Sequence, residues 1–389
     1  MSKLTVCGGG NAAHVLIALA AQAGWEVDVY APLADEAIRM EQGIAAKNGL
    51  TAHFPHQSVV GRPRRISADP AAVIPGSKLV LLALPAFAHG ETLRAIAGWL
   101  DPGAAVGALP ARSGFNWQAR RILQNQPTLT LFGLQTLPWA CRITAYGQAV
   151  TVLGVKAAVD LAALPPSTAP KLAQLLTPVL GLALNPVSSF LALTLANTGQ
   201  LIHPGIMFGL AYGREETVFS AAEIPLFYQG IDEAAANLLQ AMSDEVQAIA
   251  RTLAAHLPQF NSHEVVPLHS WLLHAYPTHI ADPGTLHAAF TTNRAYAGLK
   301  IPVQPVGPDH FVIDYQSRYL AEDVPFGLVV VRGLAQLAGV DTPAIDRVVT
   351  WAQTRLQHSY LVNGRITGPH MSQTRAPQTY GIDAIAQLN

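Results

Sequence analysis

Gly8-Gly9-Gly10-Asn11-Ala12-Ala13 fits the pattern G-x-G-x-x-A. It follows the short apolar run Leu4–Cys7 directly and opens a helical pattern over Asn11–Ala21. That strand–turn–helix setting gives the motif meaning as a dinucleotide site. Gly8 permits the tight turn, Gly10 lets the backbone approach a pyrophosphate, and Ala13 is small enough for helix and strand to pack closely. Asn11 and Ala12 begin the helix, whose N-terminal N–H groups stabilise phosphate charge. The plainer alternative is a glycine-rich turn with no ligand. A dinucleotide site usually carries an acid at the end of the second strand for the ribose hydroxyl. Here Tyr30-Ala31-Pro32 supplies none before Asp35, and Arg39 is the nearest arginine. The turn therefore leaves NAD and NADP both open.

Other chemistries find less support. His263, His269, His274 and His279 are spaced by five and six, not by the four of a helical zinc pair, and H-E-x-x-H is absent. No metal is expected. No G-x-S-x-G supports a serine hydrolase. The two cysteines, Cys7 and Cys141, form no C-x-x-C pair and no disulfide framework. Cys141 stands where it could line a pocket, but a catalytic thiolate there would need an activating base that the sequence does not reveal.

These residues must be positioned by a chain of 389 residues, long enough for two domains. Half of the residues are hydrophobic, 13% are charged, and the formal net charge is −1 with no basic or acidic run. Nucleic acid and charged lipid are not expected partners. The longest apolar stretches, such as Leu79–Ala88, fall short of the roughly 18 residues of a membrane span. The N-terminal strand leaves no room for a signal peptide, so a reducing cytoplasm is the expected address. Strands are expected at Leu4–Cys7, Glu26–Tyr30, Leu79–Leu84, Ala104–Leu109 and Thr128–Phe132. Helices are expected at Asn11–Ala21, Asp35–Lys47 and around Asn116–Gln124. That alternation predicts an α/β Rossmann domain over residues 1–188. Beyond it the periodicity is mostly helical, with long amphipathic stretches at Glu233–His256, Val324–Ala338 and Ile345–His358. Residues 189–389 are therefore read as a mostly helical C-terminal domain.

Several segments, taken together and in order, resemble the octopine dehydrogenase family over almost the full chain. They are Cys7-Gly-Gly-Gly-Asn-Ala-Ala-His14, Leu84-Pro-Ala-Phe-Ala-His89, Thr136-Leu-Pro-Trp-Ala-Cys-Arg-Ile143 and Ile202-His-Pro-Gly205. Further on come Pro225-Leu-Phe-Tyr-Gln-Gly-Ile-Asp232, Thr291-Thr-Asn293, Arg318-Tyr-Leu-Ala-Glu-Asp-Val-Pro325 and the tail around Thr374–Gly381. The resemblance implies a Rossmann domain followed by a helical domain, with substrates in the cleft between them. It implies reduction, with NADH, of the imine formed from a 2-oxo acid (often pyruvate) and an amino acid or amine. NADP stays open, as does a choice between monomer and homodimer.

Within that resemblance His203 is the expected acid–base group, because an imidazole gives and takes protons near neutrality. Pro204-Gly205 is expected to break or begin a helix there and present the ring at an edge. The plainer reading is a helix-capping histidine. The resemblance pairs His203 with Asp323, a carboxylate that would fix the imidazole tautomer. Asp323 would otherwise cap a helix starting near Pro325. Arg318 carries a planar guanidinium suited to an oxo-acid carboxylate. Trp271 matches a family position that shapes the oxo-acid pocket, with a core aromatic as the alternative, and Thr136 and Cys141 fall in a matched segment. Two departures bear on the amine. Gln135 stands where octopine-forming members carry a glutamate, and Arg112, after the fourth expected strand, stands where they tend to carry a neutral residue. Gln135 loses the charge attraction for a guanidinium and Arg112 adds a positive charge, and together they predict an amino partner other than arginine. The rivals are a 2-hydroxy acid or ketopantoate-type dehydrogenase and a dinucleotide-binding sensor without catalysis.

Overall fold

A computed structural model describes residues 2–388, which fall into two compact units divided between Leu193 and Thr194. The first is built on an eight-stranded sheet. Its strands lie side by side in the order Ala183–Pro186, Ala158–Leu164, Thr130–Leu134, Ala105–Ala108, Leu79–Leu82, Lys3–Cys7, Glu26–Tyr30 and Arg65–Ser67. All neighbours are parallel except Ala158–Leu164 against Thr130–Leu134. Taken in chain order, the six strands from Arg65–Ser67 to Thr130–Leu134 run 3-2-1-4-5-6, the doubly wound arrangement of dinucleotide-binding domains. Leu79–Leu82 reads as a continuous apolar run because both its faces are covered. Leu79 and Leu81 join the core on one face, while Val80 and Leu82 join the core on the other. Burying each such side chain contributes roughly 1.5–3 kcal/mol, enough to commit a four-residue run to the interior. Asp28, in the second strand, is a fully buried carboxylate. It accepts from Lys3 Nζ at 2.8 Å and from Arg64 Nε at 3.0 Å.

A smaller sheet, absent from the expected elements, orders Ser58–Gly61, Leu50–His53, Ala149–Val155 and Trp139–Ala145. It lies against the helix Asn11–Gln22 at very short range. A Cβ on Gly61 would stand 2.6 Å from the Ala18 backbone, so only glycine fits there.

The second unit is mostly helical. Its longest helix, Glu233–His256, is capped by the Asp232 carboxylate, which accepts from Ala235 N–H at 2.8 Å. The helix Gly199–Ala211 packs on it through Gly205 and Gly209, where added Cβ atoms would lie 2.5 Å from Leu239 and Ala235 respectively. Two short antiparallel pairs, Val303–Gly307 with His310–Ile313 and Leu361–Val362 with Arg365–Ile366, complete the unit. Among the described residues no helix is long and apolar enough to cross a membrane.

Candidate active site

His203 sits on Gly199–Ala211, and this helix continues through Pro204 instead of breaking there. Proline's φ is already helical, but its ring removes one backbone bond and crowds the carbonyl four residues back, a cost that packing must offset. Buried Leu201, Ile202, Ile206, Met207 and Phe208 hold the helix by packing. The ring is thus presented from within a helix, not from its end.

Nδ1 of His203 lies 2.8 Å from Oδ2 of Asp323, and Nε2 lies 3.2 Å from the Tyr228 hydroxyl. Tyr319 stacks on the imidazole with ring centres 4.2 Å apart and planes 18° apart. Tyr228 is buried and stacks on Tyr296 at 3.9 Å. Burial pushes the Tyr228 phenol well above its ordinary range, so it stays an O–H donor. Asp323 can only accept, so Nδ1–H donates to it, and the neutral ring that results lets the phenol donate to Nε2. Both ring nitrogens thus have a side-chain partner.

Asp323 is placed by an irregular helix. Arg318–Ala321 is a short α-helix, Val324–Leu328 a π-helical turn and Val329–Ala338 a regular α-helix. The Leu328 N–H reaches the Asp323 carbonyl at 2.9 Å, a five-residue step. Asp323 precedes the turn, but its side chain makes no capping bond. Its carboxylate, only 2% exposed, is turned to the imidazole instead. π turns of this kind concentrate at functional sites.

Arg318 is held by Glu322, which the sequence did not single out. Nε and Nη2 both reach Oε2 of Glu322 at 2.6 Å; the acid is buried while the arginine side chain is 56% exposed. Trp271 is half-buried on Leu268–Ala275. It meets Tyr276 edge-on at 6.4 Å, Tyr276 meets Tyr296 at 5.0 Å, and Tyr296 stacks on Tyr228. A run of aromatic rings thus joins Trp271 to the imidazole. Tyr228 and Tyr319 escaped the sequence reading, although both stand inside segments that carried the family resemblance.

In the first unit the glycine turn follows Lys3–Cys7. Gly8 has φ +117°, and a Cβ there would lie 2.7 Å from Leu84 Cδ2 and 2.9 Å from the Ala83 carbonyl. Gly10 differs: its φ is −80°, and a Cβ would meet nothing within 4 Å. That open side, at the first N–H groups of a helix, fits an anionic group such as a pyrophosphate. Asn11 has a structural engagement as well, its Oδ1 accepting from Ile143 N–H at 2.8 Å. Ala12 and Ala13 are buried in the first turn. His14 is wholly buried; its Nδ1–H donates to Gly10 O at 3.0 Å and its Nε2 accepts from Gly147 N–H at 2.9 Å. Glu36, next along the chain from Asp35, stands against the turn. A Cβ on Gly9 would fall 2.5 Å from the Glu36 carboxyl group, whereas Asp35 pairs with Arg39 at 2.9 Å on the surface.

Arg112 follows Ala105–Ala108 and is half-buried in the left-handed region, with φ +58°. Such a backbone is uncommon for a non-glycine residue. Gln135 and Thr136 are half-buried just after Thr130–Leu134. The two loops are tied, since Ala111 N–H donates to Leu134 O at 2.9 Å. Both lie at the carboxyl ends of parallel strands, where doubly wound sheets bind ligands. Cys141 is half-buried, and burial pushes its thiol up to about 11, which keeps it protonated and poorly nucleophilic at neutral pH. Among the described residues no three His, Cys, Asp or Glu side chains group as a metal site.

Residues 186–356 match a family model described as NAD/NADP octopine/nopaline dehydrogenase, alpha-helical domain. The chain is 38% identical to octopine dehydrogenase of Mizuhopecten yessoensis, over 98% of this chain and 97% of that protein. It is 33% identical to tauropine dehydrogenase of Arabella iricolor, with both chains covered completely. A solved structure of octopine dehydrogenase with NADH and L-arginine is similar at a TM-score of 0.92 and 35% identity, over 100% of this chain and 98% of that one.

Proposed function

We propose, since this chain belongs to the octopine dehydrogenase family, that it is an opine dehydrogenase, joining a 2-oxo acid, pyruvate first among candidates, to an amino compound by NADH-dependent reductive condensation. The observation that carries this reading is the 2.8 Å contact between His203 Nδ1 and Asp323 Oδ2. It supports a proton-handling imidazole with its second nitrogen turned to a buried hydroxyl.

The net reaction takes a 2-oxo acid, an ammonium compound, NADH and one proton to a secondary ammonium product, NAD and water. Nε2 of His203 takes a proton from the ammonium group, freeing the amine to attack the keto carbon. The imidazolium returns that proton to the carbinolamine hydroxyl, which leaves as water. Asp323 stabilises the imidazolium while it exists and keeps the tautomer fixed. Tyr228 occupies Nε2 until a substrate group takes its place. NADH, when bound, supplies the hydride.

Gly8, Gly10 and the helix opening at Asn11, Ala12 and Ala13 would hold the cofactor pyrophosphate. Glu36 beside Gly9 favours NAD, because a carboxylate there repels a 2′-phosphate. Arg318 is the proposed cation for the oxo-acid carboxylate, and Trp271, Thr136 and Cys141 are proposed pocket residues. Gln135 and Arg112 argue for a neutral or acidic amino partner (alanine, glycine, taurine, β-alanine or aspartate) over arginine.

The test follows NADH loss with pyruvate alone, with pyruvate plus a panel of amines, and with neither. Oxidation that requires both pyruvate and an amine supports the proposal. Oxidation with pyruvate alone makes the protein a 2-hydroxy acid dehydrogenase, and binding without turnover makes it a sensor.

A further inference from the structure

Arg375 heads the fully buried side chains by volume. It belongs to the tail around Thr374–Gly381, which carries part of the family resemblance but none of the chemistry above. A guanidinium out of water is costly unless something compensates it, so its surroundings matter. Its charged centre lies 5.1 Å from the centre of the Phe326 ring, and its backbone N–H points to the Pro325 carbonyl at 3.4 Å. Both residues lie inside the π turn that presents Asp323, and Phe326 is the one residue there with non-helical dihedrals, φ −105° and ψ 15°. The same tail is pressed onto the following helix. Gln378 Nε2 donates to Gly333 O at 2.9 Å, and a Cβ on Gly333 would stand 2.8 Å from Pro377 Cδ. Glu322 and Asp323, both buried carboxylates, stand at the head of the turn, and Arg318 engages Glu322.

We infer that Arg375 is a positioning residue for Asp323. Through the Phe326 ring and the Pro325 carbonyl it braces the π turn, which keeps the Asp323 carboxylate against Nδ1 of His203. The leverage is geometric. A π turn holds one residue more than an α turn, and each residue rotates a helix by about 100°. A turn that relaxes to α swings Asp323 off the imidazole.

The inference rests on the reading of His203 and Asp323 as the proton-handling pair, so one readout must not depend on turnover. Arg375→Met, Arg375→Lys and Phe326→Leu are made in the full chain. For each, kcat, KM for the oxo acid, NADH affinity and the ring-nitrogen NMR signals of His203 are measured, with His203→Asn identifying the signals. Arg375→Met is expected to lower kcat by roughly 10²-fold, with KM and NADH affinity near wild type. The His203 ring should pass from a single Nδ1–H tautomer to a mixture, and Arg375→Lys should recover part of both losses. Where Arg375→Met does not fold, Phe326→Leu, which keeps the charge and removes the ring, should show the same tautomer change. A folded variant of either kind that keeps the wild-type tautomer overturns the inference, whatever its activity. An inactive wild-type enzyme overturns the proposed reaction instead, and the spectra alone then decide the brace.

Discussion

His203 and Asp323 are 120 positions apart in the chain, and their side chains meet at 2.8 Å. The short side of this pair is the informative one. Asp323 is buried and turned to Nδ1, so the ring has a single nitrogen, Nε2, left for chemistry. Asp323→Asn would present an amide N–H to Nδ1 and drive the ring proton onto Nε2, the wrong side for accepting a proton. We predict a fall in kcat of roughly 10²–10⁴-fold, the usual worth of a positioned acid–base group, with NADH affinity unchanged. His203→Asn should lose a similar factor, and the double variant little more than either alone, because the two act as a unit. Steady-state kinetics and cofactor titration on the three proteins check this; additive losses would separate the two residues' roles.

The glycine turn offers a second test because its two outer glycines answer to different constraints. Gly8 is required by the fold: its φ is +117°, and a Cβ would strike Leu84 and the Ala83 carbonyl. Gly8→Ala should cost at least about 1–3 kcal/mol of stability before any ligand is considered. Gly10 is required by nothing in the protein itself, since a Cβ there meets open space. Gly10→Ala should keep the wild-type Tm yet weaken NADH by about tenfold or more, since one hydrogen bond to a charged group is worth roughly 1.5–3 kcal/mol. Thermal melts and NADH fluorescence titration measure both. A Gly10→Ala protein that binds NADH normally would remove the turn from the cofactor site.

Local patterns made the Rossmann sheet legible. The buried strands are short apolar runs, and the turn at Gly8–Gly10 has a strong local signature. The smaller sheet was not legible because the inward positions of Trp139–Ala145 after Trp139 are only half-buried, and two of its other strands, Leu50–His53 and Ser58–Gly61, are only four residues long. At the candidate site, residue type and family resemblance singled out His203, Asp323 and Trp271. Pro204 misled, because its helix is held by apolar packing and two glycine contacts that no single-residue rule contains. Glu36, Glu322 and Tyr228 were missed for a common reason. Each gains its place through a contact across the fold or through a helix register that composition does not encode.

Acid should loosen the first unit through His14. Burial pushes this imidazole down to about 4 from an ordinary 6.5, and both its nitrogens are engaged in the neutral form. Between those two values the unfolded chain binds a proton that the native state refuses. Stability is therefore fully present above about pH 6.5 and drains away as pH falls toward 4. At pH 5 the loss from this one group should be roughly 2 kcal/mol. Urea midpoints at pH 7.5 and pH 5 for wild type and His14→Gln isolate it from the carboxylates, which titrate in both proteins. The variant should be less stable at pH 7.5 but show a shallower acid dependence; equal slopes would mean that His14 does not stay neutral.

The proposed amine preference involves two neighbouring loops. Arg112 and Gln135 follow adjacent parallel strands, and the Ala111 N–H to Leu134 O bond ties their loops together. On the proposed reading a glutamate at position 135 would attract a guanidinium substrate, whereas Gln135 would offer no charge and Arg112 would add a repulsive one. Two unit charges about 4 Å apart at an effective dielectric near 20 interact by roughly 4 kcal/mol, so even a heavily screened fraction decides between amines. Wild-type enzyme should therefore use alanine, taurine or aspartate ahead of arginine when these compete at fixed pyruvate. Gln135→Glu should raise kcat/KM for arginine relative to alanine by about tenfold, and adding Arg112→Gln should raise it further. Arg112→Gln alone should weaken acidic amines most, because only those lose an attractive partner. A wild-type preference for arginine, or a double variant with an unchanged ratio, would show that these two loops do not read the amine's charge.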